Sequence, residues 1–409
     1  MPFVALLRRF AHDCSGNIAL ISAFSFLPVL VIAGGATDVA RHESYRVQLQ
    51  DGVDRAVLAA ASLTQTRPVE ETVDGYLKSL PFIDDVKVDF SYKNLSNSRE
   101  VKVSATYTMT TGFLPLIGID TLPVQATATA LETRRNVEIS LMLDVSGSMA
   151  EGRPSKISLL KPAAQNFIDA VLNSKTASFT SLNVVPYAGQ VSVGRAVFDG
   201  LRGNRVHGNS SCFEFANTEF GVGLVNFAGR AQVPHFTNWR FDNNAAGTNW
   251  WWCPADETAL TFMSNDAAYL KQRITNYKLH DGTGTAYAMN YGMMLLDPML
   301  RGHMGQAISA GMAPASFANR PADYNDESTV KFIVLMTDGA ITQQFRPNDP
   351  NRSPTLAPEN KELYSAGQAV RQFKAVCAAA KAKGVVVFTI GFQVGSDGQT
   401  QMRECASST

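Results

Sequence analysis

Val137-Glu138-Ile139-Ser140-Leu141-Met142-Leu143-Asp144-Val145-Ser146-Gly147-Ser148-Met149 is a largely apolar run that stops at a carboxylate and two hydroxyls. A short apolar run bounded by turn residues suits a central, fully covered parallel strand. Ligands in open α/β sheets collect beyond the carboxyl ends of such strands, which is where Asp144, Ser146 and Ser148 fall. Their donors are all oxygen, one charged and two neutral. Such a set suits a hard cation such as Mg²⁺ and gives a soft metal little reason to bind.

Two later segments supply similar chemistry. Asp281-Gly282-Thr283-Gly284-Thr285 places hydroxyls on a glycine-permissive turn, and Phe332-Ile333-Val334-Leu335-Met336-Thr337-Asp338-Gly339 is a second apolar run ending at a carboxylate. Each piece alone reads as a solvated turn or a helix cap; the three in this order are more specific. Together they resemble the metal-ion-dependent adhesion site (MIDAS) of the von Willebrand factor type A domain, over about residue 136 to the chain end. The resemblance implies that Ser146, Ser148 and Thr283 hold the ion directly or in turn, while Asp144 and Asp338 act largely through water. Mg²⁺ is the expected ion, with Mn²⁺ or Ca²⁺ as substitutes, and an acidic side chain of a partner completes its coordination.

With 409 residues, 45% hydrophobic and 18% charged, the chain is long enough for two or three domains with their own cores. Its 36 basic residues balance 36 acidic ones, so no net field draws in nucleic acid, and no nucleic-acid partner is expected. The five cysteines include no Cys-x-x-Cys pair and no zinc-type spacing, which leaves disulfides as their natural use in an oxidising compartment.

The N-terminus sets the compartment. Residues 18–37 form an uncharged, mostly apolar stretch preceded by Arg8 and Arg9. That is about the 20 residues a helix needs to cross a bilayer, and the basic leader stays inside. The expected layout is a single pass through a bacterial inner membrane: leader 1–16 cytoplasmic, helix 17–38 spanning, the remainder periplasmic. A cleaved signal peptide competes, because Ala33-Gly34-Gly35-Ala36 offers small residues after the apolar core. Beyond the span, Leu49, Val53, Val57 and Ala60 recur at helical spacing, so the helix continues amphipathically. Unbroken, it could carry the chain roughly 40 Å onward as a free stalk, or it could fold back onto its own domain.

Residues 84–131 alternate in the manner of strands. Val86, Val88 and Phe90, then Val101, Val103, Ala105 and Tyr107, read as a hairpin, with residues 123–131 as a third strand. A long helix followed by a small antiparallel sheet is the plan of a pilin. Ser15-Gly16-Asn17-Ile18-Ala19 and the run from Arg46 to Ala60 resemble the TadE/TadG-like proteins of tight-adherence (Flp) pilus assembly, in which a pilin-like N-terminus precedes a von Willebrand A domain. The resemblance implies a pilin-like region at 39–131 and an A domain at 135–409. Its partners would be pilus assembly proteins or pilins, with the N-terminal helix in the membrane. Pilins cut by prepilin peptidase carry Glu at the fifth position after the cleaved glycine, where this chain has Ile21, so that cleavage is not carried over. Relatives normally continue with another strand and helix past the point where Thr409 stands.

Within the A domain, residues 156–172 read as a helix that Pro162 should kink or cut. Residues 181–187 and 190–197 read as strands, 285–300 as a helix, and 385–392 as another buried strand, fed by a helix that Gly384 ends. Residues 301–326 and 346–360 read as surface loops. Between the strand pair at 181–197 and Thr283, residues 198–280 form an insertion too small to bury much core, holding Cys212, Cys253 and Trp250-Trp251-Trp252. A Cys212–Cys253 bridge is expected to staple it, and Cys377–Cys405 to tie the last helix to the segment after the last strand; Cys14 stays a thiol. The tryptophans are either an exposed aromatic contact surface or the lobe's own core.

The expected fold is thus α/β: an anchoring helix with a small antiparallel sheet, then a doubly wound, mostly parallel A domain with a disulfide-stapled insertion. The expected function is metal-dependent partner binding in pilus assembly, without catalysis. A surface-exposed metal-dependent adhesin is the alternative. A hydrolase using Asp144 would need a base and a pocket that the sequence does not offer, and His280 reads as a loop histidine.

Overall fold

The computed structural model describes residues 17–95, 97–238, 251–339, 341–350 and 359–408. Arg8, Arg9, Cys14, Ser15, Gly16 and Trp250 lie outside the described residues. The chain divides into two compact units, Met1–Arg134 and Arg135–Thr409.

The first unit is organised on one helix, α1, Asn17–Ala61. Its mean hydropathy reaches 2.0 near the N-terminus, and it is long and apolar enough to cross a membrane. The half beyond residue 48 behaves differently. Leu49, Val53, Ala56, Val57 and Ala60 repeat at intervals of three and four, share one face, and are buried. They pack on α2 (Val69–Leu77) and on a sheet of β1 (Val86–Asn94), β2 (Ser98–Thr110) and β3 (Thr121–Thr133) in antiparallel order β1-β2-β3. The amphipathic half of α1 is therefore no free stalk but the spine of this unit's core. Val101, Val103 and Ala105 alternate with half-exposed or exposed neighbours, as period-two patterning requires when one sheet face is covered.

The second unit carries a five-stranded sheet ordered β10-β7-β4-β5-β6. In chain order its elements are β4 (Asn136–Asp144), α3 (Lys156–Val171), β5 (Thr180–Tyr187), α4 (Arg195–Gly200), β6 (Thr261–Ser264), α5 (Ala267–Asn276), α6 (Thr285–Met294), α7 (Arg301–Ser309), β7 (Thr329–Thr337), β8 (Gln344–Pro347), β9 (Asn360–Tyr364), α8 (Ala366–Ala382), β10 (Val386–Gly391) and α9 (Ser396–Cys405). All neighbouring pairs in this sheet are parallel except β5 with β6. Alternate residues of β4 feed two cores: Ile139, Leu141 and Leu143 join one with α3 and α5, and Met142 the other with α6 and α8. Both faces are thus covered, which explains why the strand reads as nearly continuous apolar sequence. Every residue of α6 is buried, as a helix apolar on all sides should be.

Several expectations needed correction. Residues 190–197 are not a strand: they are a buried loop followed by the start of α4, and β5 finds its second neighbour in β6 instead. Gln190 and Ser192 are fully buried in that loop, so its alternation reflected packing rather than a ladder. Residues 261–276, read as insertion, form β6 and α5 and belong to the sheet and its helix layer. The stretch 301–326 opens with α7, and Arg346 lies in β8, which pairs with β9. Residues 351–358 of the remaining loop lie outside the described residues. Helix α3 is unbroken at Pro162, and the helix expected over 285–300 ends at Met294, followed by a short turn at Pro298–Leu300.

Both expected disulfides are formed. Cys377–Cys405 joins α8 to the end of α9, and Cys212–Cys253 staples the insertion. Trp252 is fully buried beside Cys212, Cys253, Val233 and Phe236, stacked on Phe236 at 5.5 Å. It is the lobe's core and not an exposed contact. Trp251 lies on His235, ring centres 3.7 Å apart. Burial, and then the neighbouring His207, push His235 down to about 4. The unfolded chain binds that proton from its ordinary value of about 6.5, so unfolding takes up a proton between the two values and stability falls as pH falls. This histidine's own contribution falls by on the order of 2 kcal/mol between about pH 7 and about pH 4.5. Thermal unfolding followed by tryptophan fluorescence should show it as a difference between proteins: His235→Gln should gain about that much stability relative to the parent on acidification between these two values.

Candidate functional site

Three loops meet at the carboxyl edge of the parallel strands. Asp144 is the last residue of β4 and is wholly buried. One carboxylate oxygen accepts the Ser146 N–H at 2.9 Å; the other accepts hydroxyl hydrogens from Thr337 at 2.7 Å and Tyr187 at 3.2 Å. The Ser146 and Ser148 hydroxyls are 3.1 Å apart, so the first loop turns both toward one place.

The Thr283 loop is fastened alongside by its backbone. His280 N–H donates to the Val145 carbonyl at 2.8 Å, and Ser146 and His280 form a parallel bridge. Gly189 N–H donates to the Asp281 carbonyl at 2.7 Å, and Gly284 N–H to the Ala188 carbonyl. The Asp281 carboxylate turns to the insertion, where it accepts from the Thr237 hydroxyl at 2.8 Å and the Asn238 N–H. It is a strut of the loop that carries Thr283. Trp252 lies so close against Gly189 and Gly282 that a Cβ at either would overlap its ring. The stapled lobe thus braces the two loops that flank Thr283. His280 is buried, with a ring nitrogen 3.3 Å from the Thr258 hydroxyl.

Asp338 follows β7 and is nearly buried; Lys156, the first residue of α3, places its ammonium 3.0 Å from the Asp338 carboxylate and 3.2 Å from Glu151. Burial, and then the charge of Asp338, push Asp144 up to about 6. Tyr187 is driven well above the ordinary phenol value by burial and then by Asp144, so its hydroxyl stays a donor. The edge therefore carries two carboxylates with one ammonium between α3 and Asp338.

Tyr187, Thr337 and Lys156 had not been singled out from sequence. Thr337 directly precedes Asp338, and Tyr187 ends an apolar strand with a hydroxyl; either could have been flagged as a polar group at a strand's carboxyl end. Lys156 carried no signal, because its partner lies 182 residues away.

Among the described residues no group of three or more His, Cys, Asp or Glu side chains is placed to hold a metal ion. The set here is of another composition, two carboxylates and three hydroxyls. All of them are hard oxygen donors, and Asp144 is buried with only neutral donors, the Ser146 N–H and the Thr337 and Tyr187 hydroxyls, against its carboxylate; this donor chemistry fits a divalent cation.

Comparison with known proteins bears chiefly on the first unit. Residues 16–63 match the family model of Flp pilus-assembly TadE/G-like proteins. That match covers all of α1 and the start of the turn after it. No curated protein matches the chain. Similar solved structures include the pilus adhesin SpaC from Lactobacillus rhamnosus GG, 14% identical with a TM-score of 0.31, over 79% of this chain and 31% of that one. Others are the adhesive tip pilin GBS104 from Group B Streptococcus agalactiae (12%, TM-score 0.34, 67% and 94%) and the manganese-loaded TRAP protein of Plasmodium vivax (13%, TM-score 0.28, 75% and 66%). The chain spans 31% of the length of SpaC. The fold description rests on strand order and register rather than on likenesses this slight.

Proposed function

We propose that this chain is a membrane-anchored, non-catalytic component of tight-adherence pilus assembly that binds partner proteins through a divalent ion held at the edge described above. In this reading α1 spans the inner membrane with the leader in the cytoplasm, and both units stand on the periplasmic side. Residues 135–409 are a doubly wound von Willebrand A domain, and the first unit's helix and sheet are pilin-like.

Ser146, Ser148 and Thr283 would hold the ion, with Asp144 and Asp338 reaching it through water. When bound, the ion supplies an electrophile whose protein ligands are mostly neutral, so an acidic side chain from a partner binds it strongly. This chain's own residues fix the geometry. Thr337 and Tyr187 hold the Asp144 carboxylate in place, Lys156 limits the charge that Asp338 presents, and the Trp252 brace keeps the Thr283 loop against Ser146.

The observation that carries the reading is the convergence of the Asp144, Thr283 and Asp338 loops on one sheet edge, with Asp144 buried and poorly compensated. The match to pilus-assembly proteins over residues 16–63 supports the choice of partner. The experiment is capture of purified pilins and assembly proteins of the same system by the detergent-solubilised full chain. Retention in Mg²⁺, loss in EDTA, and a drop of at least tenfold in Ser146→Ala, which is about 1.4 kcal/mol, are expected. Retention that is equal in every arm would remove the proposal.

A further inference from the structure

The segment joining β2 to β3 is built for a membrane surface. Residues 111–119, Thr-Gly-Phe-Leu-Pro-Leu-Ile-Gly-Ile, contain no charge, and four large apolar side chains stand out of the fold: Phe113 is 39% exposed, Leu116 58%, Ile117 56% and Ile119 40%. Four such groups on one short loop form a contiguous patch of the kind that marks an interaction site. Its position says what it meets. Phe113 packs so closely on Gly34 of α1 that a Cβ there would overlap its ring, and Leu114 lies on Gly35. On α1 itself, Val29 and Ile32 nearby are 60% and 73% exposed. The loop therefore extends an apolar surface that α1 has already begun.

The depth agrees. From Ile18 to Gly35 an α-helix rises about 26 Å, close to the hydrocarbon thickness of about 30 Å. The loop consequently touches α1 where a span beginning near Ile18 reaches the far boundary. Asp38 lies one turn beyond Gly34 and Gly35, and a bare carboxylate at that boundary would be costly. It is buried instead: its oxygens accept the N–H groups of Gly112 at 2.9 Å, Phe113 at 2.8 Å and Leu114 at 3.0 Å. One interaction thereby hides the charge and satisfies the loop's backbone. The rest of the loop pairs internally, Leu116 N–H with Phe113 O, Gly118 N–H with Pro115 O, Ile119 N–H with Leu114 O, and the Thr111 hydroxyl with Ile119 O at 2.6 Å. Irregular backbone survives at the edge of hydrocarbon only when its polar groups are paired in this way.

We propose that residues 113–119 form a second membrane contact, with Phe113, Leu116, Ile117 and Ile119 entering the outer-leaflet side of the bilayer beside α1. The proposal rests on α1 being the membrane span. The loop fixes the height of the first unit above the lipid and the rotation of α1 about its axis, which a single helix anchor leaves free.

The test uses the full chain in vesicles whose lipids carry bromine in the acyl chains. In a Cys14→Ser background, single cysteines at Leu116→Cys, Ile117→Cys, Val29→Cys and Leu95→Cys carry an environment-sensitive fluorophore. Leu95 lies in the opposite, β1–β2 turn and is 65% exposed. Blue-shifted emission quenched by brominated lipid is expected at positions 29, 116 and 117, and water-like emission quenched by iodide at 95. Iodide quenching at 116 and 117 with lipid quenching at 29 overturns the loop contact while leaving the span. Shielding of 116 and 117 from both quenchers overturns it in favour of a protein partner or a second copy. Loss of lipid quenching at 29 overturns the span itself, and the loop contact with it.

Discussion

Lys331→Met is expected to destabilise the second unit by about 3–5 kcal/mol, because it strands a carboxylate inside the protein. Glu138 on β4 and Lys331 on β7 form an ion pair near the amino ends of the sheet strands, 1% and 5% exposed. Lys331 also donates to the Leu296 carbonyl at 3.0 Å, and the other Glu138 oxygen accepts the Ala322 N–H at 2.9 Å. Burial pushes the Lys331 ammonium below the ordinary lysine value despite the Glu138 carboxylate beside it. Next to the pair, the buried Arg320 guanidinium donates to the Val137 and Phe179 carbonyls, at 3.0 and 2.7 Å, and to the Ser181 hydroxyl at 2.8 Å. The three groups close the sheet at the edge opposite the candidate site.

A double-mutant cycle separates the pair from its surroundings. Glu138→Met should also be costly, since it leaves an ammonium unpaired. Combining it with Lys331→Met removes both charges, and the double variant should recover to within about 2 kcal/mol of the parent, the residue being the lost Ala322 and Leu296 hydrogen bonds. Denaturant unfolding reads the cycle. Two single variants each within about 1 kcal/mol of the parent, with no coupling between them, would show that the pair is screened by water and not structural.

That pair also marks the limit of what the sequence conveyed. Glu138 and Ser140 sit inside a run that reads as apolar, and the run was legible as a central strand because Ile139, Leu141, Met142 and Leu143 outweigh them. Covered parallel strands are coded by continuity, so β4, β5 and β7 could be found by composition alone; β10 has the same apolar run and reads as buried too, but it is the sheet's edge strand, with Phe388 48% and Ile390 40% exposed. Strand β6 could not: it is four residues long, and it was lost in a stretch dominated by the cysteines and tryptophans of the lobe. Residues 190–197 alternate like a strand but turn a corner, and nothing local distinguishes a buried loop from a buried ladder. The glycine- and alanine-rich start of 301–326 looked like a loop because its helix, α7, has little amphipathic contrast. At the site, Asp144, Ser146 and Ser148 were visible as a carboxylate and hydroxyls at a strand's end. Their supports, Tyr187 and Lys156, are set by tertiary packing and have no local signature.

Asp144→Asn is expected to raise the stability of the metal-free protein and at the same time to abolish its response to Mg²⁺. The folded chain holds this carboxyl at about 6, above its ordinary 3.8, so near pH 7 it bears a buried charge that the unfolded chain carries freely. A folded value above the unfolded one means that the native state binds the proton more tightly, and stability falls as pH rises through the window between the two values. Asparagine carries no charge to desolvate, its carbonyl can still accept the Ser146 N–H, and the Thr337 and Tyr187 hydroxyls can rotate to accept from its amide. The gain at neutral pH should be on the order of 2 kcal/mol. A bound ion acts in the opposite sense on the parent, because it compensates the same charge. At an ion concentration about 100 times its Kd the parent gains about 2.7 kcal/mol, and the asparagine variant should gain almost nothing. Thermal unfolding of the detergent-solubilised protein, with EDTA and with Mg²⁺, therefore gives a crossover: the variant melts higher without the ion and the parent rises to meet or pass it with the ion. Equal Mg²⁺ shifts in both proteins would place the ion elsewhere. A variant that melts lower than the parent in EDTA would mean that Asp144 is held by its three hydrogen bonds more firmly than burial opposes it.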